Sequence, residues 1–247
     1  MIIKEVCAKT IISKSKVHDY TINPYIGCEH GCTYCYARFM KRFTGHKEEW
    51  GRFVDVKINA ARLLQREVEW KKRGRVWISG VCDPYQPIER KYKLTRRCLE
   101  ILSEHNWPIT VQTKSPLVAR DLKLLKRFTN SEVGLTITTG DENIRKLFEP
   151  NVSSINDRIE TLDKLHSSGL TTFVMIAPLL ARANGLVTQL VGKVDYVLID
   201  KMNYHHADWV YREHGLEYAM TRRFFNQKKV ELSEALEKEK MSYQFLF

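Results

Sequence analysis

The sequence predicts an α/β protein of about six strand–helix repeats, which would form an open, partial β/α barrel or a doubly wound sheet. Short apolar runs rich in β-branched residues recur along the chain, and an amphipathic stretch with helical spacing follows most of them. Strands that alternate with helices form βαβ units with a parallel sheet. The length of 247 residues is one at which an α/β barrel often forms a single domain.

The elements follow one another in a regular order. The predicted strands cover residues 21–26, 75–82, 108–114, 132–139, 171–178 and 195–200. The predicted helices cover residues 56–70, 94–102, 117–128 and 155–165. This set is smaller than the eight repeats of a closed barrel. We expect residues 1–203 to form the core and residues 204–247 to form a helical C-terminal extension that packs on it. Both candidate folds place an active site at the carboxyl ends of the strands.

The composition is that of an ordinary globular protein, with 43% hydrophobic and 28% charged residues. The sequence shows no apolar run of signal-peptide length at its start and none long enough to span a membrane. We therefore expect a cytoplasmic protein without a membrane partner. Because disulfides are rare in the cytosol, clustered cysteines there are more often metal ligands or reactive groups.

Positive charge is in excess, with 40 Lys and Arg against 29 Asp and Glu and a formal net charge of +11. Such an excess attracts polyanions at long range, which favours a nucleic-acid partner. The same residues also fit ordinary solvated helix faces, because they are spread along the chain in short runs. The charge alone leaves both interpretations open.

Three of the six cysteines, Cys28, Cys32 and Cys35, lie within eight residues. Gly27 and Gly31 give this segment the backbone freedom to curl round a metal. Thiolates are soft ligands that select zinc, copper(I) or iron–sulfur clusters. No second cysteine pair follows, so three ligands would leave one metal position open to a substrate. A zinc site with His30 or a distant residue as fourth ligand, an electron-transfer module and a disulfide remain alternatives.

The spacing Cys-x-x-x-Cys-x-x-Cys, with the aromatic Tyr34 before the last cysteine, resembles the radical S-adenosylmethionine (SAM) superfamily. This resemblance implies a partial (β/α)6 barrel and a 4Fe–4S cluster held by Cys28, Cys32 and Cys35. It also implies that SAM chelates the open iron and is reductively cleaved to a 5′-deoxyadenosyl radical that abstracts hydrogen from a substrate. An electron donor such as a ferredoxin or flavodoxin would be a partner.

Two segments resemble the spore photoproduct lyase-like branch, which is related to DNA-repair photolyases. They are Cys-Glu-His-Gly-Cys-Thr-Tyr-Cys-Tyr at residues 28–36 and Asp-Pro-Tyr-Gln-Pro-Ile-Glu-Arg at residues 83–90. The branch implies a nucleic-acid substrate.

The sequence departs from this branch in two ways. Gly80 stands where those lyases carry a hydrogen-donating cysteine, and Cys82 lies close enough to substitute for it. The chain is also shorter than the lyases and has no clear equivalent of their lesion-binding C-terminal part. A peptide, a small metabolite or a cofactor is therefore an alternative substrate.

The resemblance also implies which residues bind SAM. The candidates are Tyr34, Ser79, Gly80, Cys82, Asp83, Lys114, Thr136 and Thr138. The Asp83 carboxylate would accept from the ammonium or a ribose hydroxyl, Lys114 would contact the carboxylate, and a threonine would contact the ribose. Each has an ordinary structural alternative: a turn before Pro84, an exposed lysine at a strand end, and threonines that favour β-strands.

Tyr34 and Tyr36 flank Cys35 and match lyase tyrosines that return a hydrogen atom to the cofactor. With Cys82, they are the candidate catalytic residues. For both tyrosines, packing beside the cofactor or against the following helix is the alternative interpretation.

Overall fold

The computed structural model describes all residues from 1 to 247. The strands are β1 (Ile2–Val6), β2 (Ile12–Lys14), β3 (Tyr20–Ile22), β4 (Tyr25–Ile26), β5 (Phe53–Lys57), β6 (Val76–Ile78), β7 (Ile109–Thr113), β8 (Ser131–Thr136), β9 (Thr171–Ile176), β10 (Tyr196–Ile199) and β11 (Ser242–Phe245). The α-helices are α1 (Ala60–Trp70), α2 (Glu89–Tyr92), α3 (Leu94–Glu104), α4 (Leu122–Leu125), α5 (Glu142–Phe148), α6 (Ile155–Ser167), α7 (Leu186–Leu190), α8 (Asp208–Glu213) and α9 (Arg222–Lys238). The short 3₁₀ helices are Tyr36–Phe43, Pro116–Asp121, His205–Ala207 and Glu217–Met220. The larger of the two sheets is mostly parallel, which confirms the predicted α/β class.

Five of the six predicted strands are present, and each is shorter than predicted. The single strand predicted at residues 21–26 is wrong: the segment forms two short strands, because β3 pairs with β6 whereas β4 pairs with β5. The predicted strand at residues 75–82 covers only Val76–Ile78, because Ser79 has a positive φ of 68° that turns the chain away from the sheet. The segment after Ser79 is therefore a loop at the carboxyl end of β6.

The predicted helix at residues 56–70 begins only at Ala60, because Phe53–Lys57 form strand β5. β5 pairs parallel with β1 and antiparallel with β4. Its residues 53–56 are all buried. Pairing on both edges and burial on both faces thus override the helical spacing at the start of this segment.

The first compact unit consists of residues 1–31 and 37–133. It contains the small sheet β1–β5–β4 and four strands of the large sheet in the order β7–β6–β3–β2. β3, β6 and β7 are parallel, with Ile22 beside Ile78 and Ile78 beside Val111, and all three side chains are buried. The carboxyl ends of these strands therefore lie at one edge, where the chain enters the cysteine segment after β3 and β4.

The second compact unit consists of residues 32–36 and 134–247. Here the strand order is β11–β10–β9–β8, and β10 is parallel to both β9 and β11. The predicted helical extension is thus mainly helical but ends in a strand that pairs with β10. Because β11 pairs with β10, the backbone N–H and C=O groups on that side of β10 form hydrogen bonds that an edge strand would lack. The expected domain boundary at residues 203/204 stays a prediction. None of the helices combines the length and apolar character that crossing a membrane requires.

Candidate functional site

The first half of the cysteine segment, residues 27–31, lies in the first unit and has a glycine at each end. Gly27 and Gly31 have φ values of 88° and 60°, which favour glycine. A Cβ atom on Gly27 would lie 2.3 Å from the carbonyl oxygen of Phe53. The N–H of Gly31 donates to the carbonyl of Cys28 at 3.2 Å. These contacts close a tight turn that holds the Cys28 thiol in a buried position.

Gln86, in the loop after β6, ties that turn to the strand ends of the first unit. Its side-chain oxygen accepts from the N–H of Glu29 at 2.9 Å, and its amide nitrogen donates to the carbonyl of Gly27 at 3.2 Å. The Glu29 carboxylate in turn accepts from the N–H of Ile88. Gln86 is fully buried and was not among the candidates from the sequence. Glutamine has no local sequence signal for such a role, because its partners lie 57–59 residues away.

Asp83 is buried at the centre of the same loop and has partners on both oxygens. Oδ1 accepts from the Tyr85 N–H at 2.9 Å and the Thr113 hydroxyl at 2.5 Å. Oδ2 accepts from the Lys114 N–H at 2.7 Å and lies 3.3 Å from Nε2 of His30. Burial alone would raise the pKa of Asp83, but the charge of His30 and the hydrogen bonds lower it to about 2. The ionised carboxylate therefore joins His30 to the carboxyl ends of β6 and β7.

The other candidates of the first unit lie around this carboxylate. Ser79 is buried, and its N–H donates to the Ile22 carbonyl at 3.0 Å, while Gly80 lies against the Trp77 ring. The backbone N–H of Lys114 is the donor to Asp83, and its side chain is partly buried. Binding of SAM by these residues stays a prediction.

Cys82 packs against an apolar cluster of the first unit. The members of this cluster are Tyr25, Val54, Val56, Ile88 and Leu94. Burial raises the pKa of the Cys82 thiol to about 12. The side chain is therefore a protonated thiol near neutral pH, the form that a hydrogen-atom donor needs. Whether it acts as one stays a prediction.

The second half of the segment, residues 32–36, lies in the second unit and is held by the end of α5. The N–H and the hydroxyl of Thr33 both donate to the Phe148 carbonyl, at 2.9 and 3.3 Å. The N–H of Cys35 donates to the carbonyl of Cys32 at 3.2 Å. Tyr34 is buried, and its hydroxyl donates to the carboxylate of Glu149.

Glu149 is the centre of a fully buried polar network that the sequence did not reveal. Besides Tyr34, its carboxylate accepts from the Thr138 hydroxyl at 3.1 Å and from Nη1 of Arg158 at 2.8 Å. The same Nη1 donates to the Thr136 carbonyl at 2.9 Å. Glu149 and Arg158 are both 0% exposed. The network therefore connects Tyr34 to the end of β8, where the predicted Thr136 and Thr138 lie.

The environment of Tyr34 keeps its phenol neutral. Burial and the negative charge of Glu149 raise the pKa of Tyr34 well above its ordinary value. The phenol therefore acts as a hydrogen-bond donor to the carboxylate. The buried ring of Tyr34 and its hydrogen bond to Glu149 together fix the position of this residue, which precedes Cys35 in the chain.

Tyr36, the other predicted tyrosine, is 38% exposed at the start of the helix Tyr36–Phe43. Its ring stacks on that of Tyr204, with centroids 5.9 Å apart and an angle of 21° between planes. Tyr204 stacks in turn on His206, at 5.9 Å and 2°. The structure thus places the two predicted tyrosines in different surroundings, one buried and one at the surface.

The donor chemistry of the segment fits an iron–sulfur cluster. The six cysteines form no disulfide, and Cys28 and Cys32 are buried while Cys35 is partly buried. Thiolates are soft ligands that select iron–sulfur clusters among other metals, and cysteine thiolates are the usual ligands of such clusters. Nε2 of His30, the alternative zinc ligand, lies against Asp83.

Comparisons with known proteins agree with this chemistry. The family model of the radical SAM superfamily matches residues 22–181, more than half of the chain. The uncharacterized protein MJ0683 of Methanocaldococcus jannaschii is 38% identical over 175 residues, which are 70% of this chain and 66% of that protein. ORF301 of Acidianus two-tailed virus is 29% identical over 178 residues, 68% of this chain and 58% of that protein. The chain thus spans roughly 58–66% of the length of these two relatives.

Two kinds of solved structure share the fold. Spore photoproduct lyase complexed with dinucleoside spore photoproduct superposes with a TM-score of 0.71 at 15% identity, over 99% of this chain and 82% of the lyase. A variant of that lyase with bound AdoMet and the same photoproduct superposes with a TM-score of 0.70 at 14% identity, over 99% of this chain and 81% of the variant. SuiB of Streptococcus suis bound to S-adenosylmethionine superposes with a TM-score of 0.58 at 16% identity, over 92% of this chain and 50% of SuiB. Identities this low establish the fold alone.

Radical SAM enzymes use a 4Fe–4S cluster and SAM, and the cysteine segment lies inside the matched range. The family, the cofactors expected of it and the α/β fold agree with the predictions made from the sequence. The chain belongs to the radical SAM superfamily of enzymes.

Proposed function

We propose that this protein is a radical SAM enzyme whose cluster is held by Cys28, Cys32 and Cys35 and whose substrate is a nucleic acid. The observation that carries the proposal is the cysteine segment itself. Each of its halves is fixed by its own set of buried polar contacts, through Asp83 and Gln86 on one side and Glu149 on the other. A segment held in this way keeps its thiols in place before any cofactor binds.

Cys28, Cys32 and Cys35 would hold the cluster, which would supply the electron for the reductive cleavage of SAM and so the radical chemistry of the family. Ser79, Gly80, Lys114, Thr136 and Thr138 lie at or just beyond strand ends of their units, where polar groups can orient SAM. An external reductant such as a ferredoxin or flavodoxin would deliver the electron. The need for a reducing compartment favours the cytoplasm.

Within this framework the buried side chains act by positioning. Asp83 orients the backbone N–H of Lys114 and the His30 ring, and Glu149 orients Tyr34. Cys82, with its protonated thiol, and Tyr36, with its partly exposed phenol, are the groups that could donate or relay a hydrogen atom after the substrate radical forms.

A nucleic-acid substrate is supported by the net charge of +11 and by the fold shared with a lyase that was solved with a dinucleoside photoproduct. A lyase reaction on damaged DNA is the narrower form of this proposal. A peptide is the second candidate, because SuiB, which shares the fold with a TM-score of 0.58, was also solved with its precursor peptide.

The test is SAM cleavage by protein reconstituted with iron and sulfide in the absence of oxygen. Reduced wild-type protein should produce 5′-deoxyadenosine and methionine, which chromatography detects. Cys28→Ala, Cys32→Ala and Cys35→Ala should each abolish the products. Cys7→Ala is the matched control and should retain them, because Cys7 is exposed and lies outside the segment. Loss of the products in Cys7→Ala alone, or their persistence in the segment variants, would contradict the proposal. Colourless protein with zinc in place of iron would support a non-enzymatic module.

A further inference from the structure

An exposed stack of three rings lies beside the proposed cluster ligands in the second unit. Tyr36, Tyr204 and His206 follow one another at centroid distances of 5.9 Å, with planes at 21° and 2°. Tyr36 is 38% and Tyr204 is 49% exposed, and His206 is also exposed. Three nearly parallel rings at a surface are unusual for packing, because they leave much of their apolar area in water.

The position of the stack connects it to the chemistry. Tyr36 follows Cys35 directly in the chain, so the ring contact with Tyr204 lies one residue from a proposed cluster ligand. Tyr204 lies in the segment after Ile199, at the carboxyl end of β10. Active sites of parallel α/β folds lie at this end of the strands. A substrate that contacts these rings is therefore close to the reacting centre.

The net charge of the chain favours a nucleic acid as the partner of these rings. The chain carries a formal net charge of +11, which attracts the phosphates of a polyanion. Exposed aromatic rings are typical of surfaces that stack the bases of single strands.

We infer that the Tyr36–Tyr204–His206 stack binds an unpaired base of a single-stranded or locally opened nucleic acid and brings its neighbour to the reacting centre. This inference rests on the proposed function and names the form of substrate that it takes. An intact duplex keeps its bases stacked on one another and presents no free base face to the rings. The protein should therefore prefer single strands over duplex of equal length and charge.

Fluorescence anisotropy with a labelled single-stranded oligonucleotide of about 12 nucleotides tests the inference. Tyr204→Ala should weaken binding about tenfold, within the range of about 5-fold to about 150-fold that loss of a stacking ring produces. Tyr204→Trp should restore it, because indole also stacks. Tyr218→Ala is the matched control, since Tyr218 is 53% exposed in the same unit but lies outside the stack, and it should bind as wild type does.

Competition by an unlabelled duplex and by poly-glutamate completes the test. Weak competition by both supports base stacking. Equal affinity of Tyr204→Ala and wild type, or competition by poly-glutamate as strong as by the single strand, would overturn the inference. SAM cleavage by the wild-type protein is measured separately. If cleavage occurs but single strands do not bind, only this inference fails; if reconstituted protein never cleaves SAM, the proposed function fails.

Discussion

The first half of the cysteine segment, residues 27–31, is held mainly through its backbone, whereas the second half, residues 32–36, is held through a buried charge. In the first half, Gly27 adopts a positive φ and its carbonyl binds Gln86. In the second half, Tyr34 donates to Glu149, whose charge is balanced by Arg158. We therefore expect the first half to be sensitive mainly to added side-chain atoms, with a smaller effect of the Asp83 charge beside His30, and the second half to be sensitive mainly to loss of charge.

The largest effect should come from Glu149→Gln. This change keeps the shape of the side chain but removes its charge. The guanidinium of Arg158, which is 0% exposed, is then left without its counter-ion. Breaking a buried pair in this way typically costs about 3–5 kcal/mol in the free energy of unfolding. Denaturant unfolding of wild type and variant measures this loss in the free energy of unfolding. Arg182→Gln, which removes an ion pair of a 61% exposed side chain in the same unit, should cost less than about 1 kcal/mol. Equal costs would show that burial adds nothing to the Glu149–Arg158 pair and that the second half is not held by a buried charge.

Gly27→Ala should be nearly as damaging in the first half. The new Cβ would combine a positive φ with a 2.3 Å approach to the carbonyl oxygen of Phe53, and we expect a loss of about 3 kcal/mol or more. Gly45→Ala is the matched control in the same unit, because Gly45 has a φ of 71° and no atom within 4 Å of the added Cβ. It should lose only about 1 kcal/mol. Similar losses in the two variants would show that φ alone matters and that the contact with Phe53 does not.

The Asp83 carboxylate makes the first half sensitive to acid. Folding lowers the pKa of Asp83 from 3.8 to about 2, so its stabilising effect is complete above about pH 4 and is lost as the pH falls through about 2. The advantage of wild type over Asp83→Asn in the free energy of unfolding should shrink by about 2 kcal/mol over this window. Parallel pH profiles for the two proteins would show that the carboxylate is not held as the structure describes.

The smallest effect is expected for Tyr34→Phe. It removes one of the three side-chain donors to the buried Glu149 carboxylate and leaves the other two, so it should cost only about 1 kcal/mol. Tyr243→Phe, which loses an exposed hydrogen bond to Glu237, should change the free energy of unfolding by less than about 0.5 kcal/mol. A thermal melt of both variants compares them. A cost for Tyr34→Phe as small as that for Tyr243→Phe would mean that the phenol does not anchor the second half.

Local patterns in the sequence predicted much of the fold. The runs around Val76, Ile109 and Thr171 are rich in β-branched residues, and strands form there because burial and propensity agree. The three cysteines and the glycines beside them were also visible, because their spacing is a property of one short segment. β11 was missed, because its residues alternate between exposed and partly buried and become a strand only by pairing with β10.

The long-range contacts that hold the cysteine segment could not be predicted in the same way. Glu149 and Tyr34 are 115 residues apart in the chain, and Gln86 and Gly27 are 59 residues apart. Glutamate and glutamine are most often exposed, so their types gave no reason to place them in a core. Only the fold shows that buried donors surround them. Asp83 was found because it follows a predicted strand and begins a segment that resembles the spore photoproduct lyase-like branch, but its contacts with His30 and Thr113 depend on the fold.

The central claim is that the thiols of Cys28, Cys32 and Cys35 hold an iron–sulfur cube with one iron left open for SAM. Electron paramagnetic resonance of the reduced, anaerobically reconstituted protein, recorded with and without SAM, tests it most directly. The account predicts a cluster signal that changes when SAM is added and that is absent from the variant in which all three cysteines are alanine. A signal that SAM leaves unchanged, or that survives in the triple variant, would contradict it.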